Sequence, residues 1–135
     1  MANKIVEIEG IGPKYAEALG NAGIKTVQAL LKAGADKKGR KAIAEKTGIS
    51  DDHILRWVNM ADLFRIKGVA EEFSDLLERA GVDTVKELRN RKPENLHAAL
   101  LKANNDFKLV RRAPTDKEVQ SWVAQAKELA PMVTH

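Results

Sequence analysis

The sequence predicts an all-α fold, and three observations predict it. Apolar residues recur at helical spacing between glycine and proline stops, residues that cap helices stand where the helices would begin, and alternating β-branched runs are absent. The chain also repeats itself. "IEGIGPKYAEALGNAGIKTVQAL" (8–30) overlays "IKGVAEEFSDLLERAGVDTVKEL" (66–88) without a gap at an offset of 58, with Ile8/Ile66, Gly10/Gly68, Leu19/Leu77, Gly23/Gly81, Thr26/Thr84 and Leu30/Leu88 identical. "SDDHILRWV" (50–58) and "TDKEVQSWV" (115–123) match at an offset of 65 and bring Trp57 onto Trp122. The 135 residues therefore read as one domain made of two internal repeats, about 1–63 and 64–135, the second carrying seven extra residues between 89 and 114.

Each helix has its own start and stop. Pro13 suits a first helical position, so a helix is expected from there to about Ala22, with Gly23 as a left-handed stop. Thr26 caps "VQALLKA", which Gly34 ends. Asp36 caps "KKGRKAIAEKT", a helix that Gly39 weakens and Gly48 closes. Ser50 opens the long "DDHILRWVNMADLFRI", where Ile54, Leu55, Val58, Ala61 and Leu63 form an apolar face. The second copy follows the same plan: a helix over about 70–80, one capped by Thr84, one beginning near Pro93, and one opened by a Thr115/Glu118 capping box.

Composition narrows the function. With 44% hydrophobic and 31% charged residues the chain reads as globular. It has no cysteine, which excludes disulfides and thiolate zinc sites. His53, His97 and His135 are too far apart in sequence for a local metal pair and read as solvated or packed. No apolar run has the length of a signal peptide or a membrane span, so the expectation is a cytoplasmic protein with no membrane partner. The net charge of +4 is a mild invitation to polyanions.

The stretch that carries chemistry is "IEGIGPKYAEAL" (8–19). Two helices joined by a turn of the form apolar-x-Gly-apolar-Gly resemble the helix-hairpin-helix family, and two such units in tandem resemble the five-helix domain with which DNA-repair and recombination proteins grip a duplex. "AGIKTVQALL" and "AGVDTVKELR" are similar to a helix-entry phrase in the C-terminal domain of the RNA polymerase α subunit. The nearer resemblance is to a helix-hairpin-helix family known only as a domain of unknown function, which has this repeated layout over nearly the whole chain. It implies two tandem helix-hairpin-helix repeats packed as one compact, SAM-like multi-helix domain. It also implies contacts to phosphate rather than to base edges, with a monovalent cation held by turn carbonyls in some members.

The residues themselves explain such contacts. Gly10 and Gly12 let a phosphate approach without meeting a Cβ, and the first N–H groups of the following helix point outward with the positive end of the dipole behind them. Ile11 is the apolar plug, Pro13 starts the helix and Lys14 adds a point charge. A packing role for a Gly-x-Gly turn fits the sequence equally well. In the second copy Ala70, Glu71 and Glu72 replace Gly12, Pro13 and Lys14, which leaves a degenerate turn with only Lys67 and Gly68 to meet a backbone.

Charge points the same way: residues 1–48 carry nine Lys and Arg against five acids, while residues 49–135 carry fourteen of each. "KKGRK" places Lys37, Lys38, Arg40 and Lys41 as a second phosphate-tracking patch, though a solvated helix start reads the same. "RNRK" (89–92) and "KLVRR" (108–112) are weaker clusters. Trp57 and Trp122 read as core anchors, and 4% aromatic content is low for gripping single strands by stacking. The pairs Asp51-Asp52 and Glu71-Glu72 and the run Asn104-Asn105-Asp106 read as helix starts or loops, with no nucleophile or histidine arranged for catalysis. The expectation is a non-enzyme without a small-molecule substrate or cofactor. It binds the backbone of DNA or structured RNA through the first turn, or serves as a protein-interaction scaffold that keeps only the shape.

Overall fold

Caps and stops set the element boundaries in the computed structural model, which describes residues 4–69 and 71–134. A 3-10 turn, Ile5–Glu7, precedes the helices α1 (Pro13–Asn21), α2 (Val27–Gly34), α3 (Lys37–Thr47), α4 (Asp51–Leu63), α5 (Glu71–Arg79), α6 (Val85–Arg89), α7 (Pro93–Phe107) and α8 (Asp116–Glu128). Among the described residues there is no strand, only an isolated bridge between Lys4 and Thr26. The fold is all-α.

The expected caps are made. Thr26 accepts the Ala29 N–H (3.0 Å), Asp36 the Gly39 N–H (2.7 Å) and Thr84 the Glu87 N–H (3.3 Å). Thr115 and Glu118 form the reciprocal capping box, at 3.2 and 2.9 Å. Each such cap contributes about 1 kcal/mol to its helix. Gly34 and Gly39, by contrast, are glycine for a reason other than termination or tolerated weakness. A Cβ on Gly34 would lie 2.5 Å from Val58 Cγ2, and one on Gly39 would lie 2.0 Å from the Ala33 carbonyl oxygen. Gly34 marks close packing of α2 against α4, and Gly39 close packing at the α2–α3 corner.

The chain forms two compact units, Met1–Asp62 with Met132–His135, and Leu63–Pro131. In the first unit Ile8, Leu19, Leu30, Ile54, Trp57 and Val58 are buried. In the second, Ile66, Leu76, Leu77, Leu88, Leu100 and Trp122 belong to one apolar cluster. The apolar face expected on α4 differs in detail: Leu55 is only partly buried, whereas Trp57 and Met60 are buried, and so are Asn59 and Asp62. The last two turns of α4 thus have no exposed side.

One feature is not expected from the sequence, and an expected one, the extra length between 89 and 114, is located. The C-terminal segment joins the first unit, where the Thr134 N–H donates to the Ala35 carbonyl (2.8 Å) and Val133 is buried. The extra length of the second copy lies in the longer α7 and the loop 108–115, which is packed and ordered by specific bonds. Lys108 ends α7 in the left-handed region (φ 51°), the Val110 N–H donates to Asn104 Oδ1 (3.0 Å), and Val110 is buried. Among the described residues no helix is long and apolar enough to cross a membrane.

Candidate nucleic-acid interface

The first turn is built on a short ladder. The Ile8 N–H donates to the Ile5 carbonyl (3.2 Å) and the Ile11 N–H to the Ile8 carbonyl (3.1 Å), with Gly10 at φ +92° as the third residue of the turn. That positive φ is what a type II turn requires there. Ile8 and Ile11 are buried and anchor the turn from below. The Trp57 indole closes it: a Cβ on Gly10 would sit 3.3 Å from Trp57 Nε1 and from Arg56 Nη1. The Trp57 N–H is itself buried and has no hydrogen-bond partner among the described residues. Gly10 is therefore demanded by backbone conformation and by packing.

Gly12 is different. It is the N-cap of α1 in ordinary extended backbone (φ −84°, ψ −178°), and a Cβ there would meet nothing within 4 Å. No side chain caps α1, Pro13 occupies its first position, and the first amide to bond back is Ala16 to the Gly12 carbonyl (2.9 Å). The Lys14 and Tyr15 amides thus stand at an open, positive helix end with the exposed Lys14 side chain beside them. The protein's own packing does not require glycine at this position.

The second turn repeats the ladder and closes it. Ile66 bonds to the Leu63 carbonyl (3.1 Å), Val69 to the Ile66 carbonyl (3.0 Å), and Gly68 at φ +98° lies against Trp122, whose Nε1 would be 3.2 Å from a Cβ. Here Gln125 clasps the turn from α8. Its Oε1 accepts the Lys67 N–H (2.8 Å) and its Nε2 donates to the Lys67 carbonyl (3.1 Å). At the 65-residue offset Gln125 corresponds to Met60, which has no polar group to offer the first turn. The first turn of α5 also carries Glu71 and Glu72, both exposed, which repel an anion. Ala70 lies outside the described residues.

The basic patch expected at 37–41 is only partly assembled. Lys37, Lys38 and Lys41 are exposed, but Arg40 is buried: its guanidinium donates to the carbonyls of Gly34 (3.0 Å), Ala35 (3.2 Å) and Thr134 (2.7 Å). Arg40 therefore holds the C-terminal segment to the α2–α3 corner and is not available to a phosphate. Lys37 and Lys41 share a depression with Asp51, Asp52 and Leu55, so carboxylates line the same opening as these lysines. Lys14 lines a separate depression with Tyr15, Thr47, Ser50 and His53.

Sequence reasoning missed two of these groups. His53 stands alone in the sequence, yet it lies beside Tyr15 with ring centres 5.8 Å apart. Gln125 is an ordinary surface residue by type. The repeat alignment was the available signal, since it pairs Gln125 with Met60 and Glu118 with His53.

No solved structure matches this chain. A family profile described as a domain of unknown function, DUF4332, matches residues 9–129. That match spans both copies of the repeat, and the chain belongs to this family.

Proposed function

We propose that this protein is a non-enzymatic, helix-hairpin-helix module that binds the phosphate backbone of DNA or structured RNA through its first turn, without reading sequence. The observation that carries the reading is the open face at Gly12: an uncapped helix N-terminus, a glycine that the fold itself does not need, and Lys14 beside it. The second turn supports it by contrast, because the same scaffold there has its main chain clasped by Gln125 and its helix start occupied by carboxylates. Phosphate contacts of this kind position a protein on a strand and carry no base information.

One competent turn touches few phosphates, so the expected dissociation constant is about 10⁻⁴ to 10⁻⁶ M at physiological salt. The test is fluorescence anisotropy of labelled duplex at roughly 50 and 200 mM salt, where each phosphate contact steepens the fall of log K with log salt by about 0.9. Wild type should show a salt-steep affinity that Lys14→Glu and Gly12→Asp both abolish. Equal binding by all three proteins, or none by wild type on duplex, single-stranded and structured RNA probes, would contradict the proposal. A protein-docking role is the second reading, favoured by the exposed Leu101 and Phe107 of the second copy.

A further inference from the structure

The two copies place different chemistry at one register position beside the turn. In the second unit Arg112, from the loop after α7, donates to both Glu118 carboxylate oxygens (2.6 and 3.1 Å) and lies 5.9 Å over the Phe73 ring. Phe73 in turn packs against Trp122, with ring centres 5.2 Å apart. The counterparts in the first unit are His53 for Glu118, Tyr15 for Phe73, Ser50 for Thr115 and Lys14 for Glu72. Two glutamates of the second copy, Glu118 and Glu72, are thus replaced by His53 and Lys14, and the loop 48–50 between α3 and α4 is too short to bring in a counterpart of Arg112.

What stands there is an open depression of about 420 Å³, lined by Lys14, Tyr15, Thr47, Ser50 and His53 among others, with no carboxylate among the described residues that line it. The imidazole is held in place. Its Nδ1 is 2.8 Å from Ser50 Oγ, and its ring stacks on Trp57 at 5.6 Å and 28°. That leaves Nε2 as the ring nitrogen to meet a ligand. Asp51 and Asp52, in the same helical turn as His53, line the other depression with Lys37 and Lys41.

We propose that this depression is a second phosphate seat, in which Lys14, His53 and the Ser50 and Tyr15 hydroxyls receive the phosphate next to the one at the α1 N-terminus. The inference rests on the nucleic-acid reading of the first turn and extends it. The phosphate is either the neighbouring phosphodiester of a continuous strand or a terminal phosphomonoester. Both present the same anionic oxygens to cationic and hydroxyl donors.

Two measurements on the full chain test it. The first titrates wild type with inorganic phosphate, against chloride at matched ionic strength, while the His53 ring is followed by NMR. A saturable shift with phosphate alone, lost in Lys14→Gln, is expected; equal responses to both anions, or none, would overturn the seat. The second compares duplexes with and without 5′-phosphates in His53→Gln, where an affinity loss of about fivefold is expected. Loss on both duplexes assigns an internal phosphodiester, and loss only on the phosphorylated one assigns a strand end. Unchanged affinity on both duplexes would overturn the seat, while the first-turn reading is judged separately by Gly12→Asp. If wild type binds no duplex, the first-turn reading fails and the phosphate titration alone decides the seat.

Discussion

Gly10 holds φ +92° against the Trp57 indole, while two residues later Gly12 sits in extended backbone with open space where a Cβ would stand. The two glycines should therefore respond oppositely to substitution. Gly10→Ala places a side chain in a disfavoured conformation and against Trp57, and should cost about 1–3 kcal/mol in a denaturation experiment. Gly12→Asp supplies the missing N-cap of α1 and should leave stability unchanged or raise it by a few tenths of a kcal/mol. A large destabilisation by Gly12→Asp would show that the turn needs this glycine for itself. The sequence alone shows two glycines at the turn but does not separate these roles, because the difference lies in Trp57, an aromatic brought to Gly10 from 47 residues away.

At the scale of elements, most of the fold was legible because its signals are local. Thr26, Asp36, Thr84 and Thr115 are caps within three residues of the amides they satisfy, so their helices could be placed from the sequence. Gly39 was not legible, since its constraint is the carbonyl of Ala33 on the preceding helix. Gly39→Ala should destabilise the first unit by about 1–3 kcal/mol through overpacking, against the gain that helix propensity alone would predict. Arg40 was misjudged for the same reason: three carbonyl acceptors gather around it only in the folded chain. Arg40→Met should release the backbone at Thr134, visible as faster amide exchange there.

The start of α8 carries a pH signature. Hydrogen bonds from the Arg112 guanidinium, and then from the Thr115 N–H, push the Glu118 carboxyl down to about 2 from an ordinary 4.5. Because the folded value is the lower one, this cluster stabilises the fold above the unfolded carboxylate's range, and the contribution is lost as pH falls from about 4.5 through about 2. An NMR titration should find Glu118 still ionised well below the usual carboxylate range. In Arg112→Ala it should return toward the ordinary value, and a normal titration in wild type would contradict the pairing.

Across the whole molecule, one scaffold appears twice with opposite finish. Both copies keep the turn ladder, the glycine at positive φ and the tryptophan against it, since these hold each unit's core to its turn. They differ in what faces outward: an uncapped helix end and Lys14 in the first, the Gln125 clasp and the Arg112–Glu118 pair in the second. Gln125→Ala should therefore cost the second unit about 1–3 kcal/mol for two lost hydrogen bonds while leaving duplex affinity as it was. The alignment of the repeats made the shared scaffold readable. The Gln125 clasp joins residues 58 apart, and Arg112 reaches Phe73 from the loop after α7, so neither contact leaves a local signal in the sequence.

The most direct test of the central claim is the duplex-binding isotherm of Gly12→Asp beside wild type at low salt, with thermal unfolding of the same samples as the control. Unfolding at or above the wild-type temperature together with lost binding is the predicted result. A folded Gly12→Asp that binds duplex as tightly as wild type would remove the first turn from the interface.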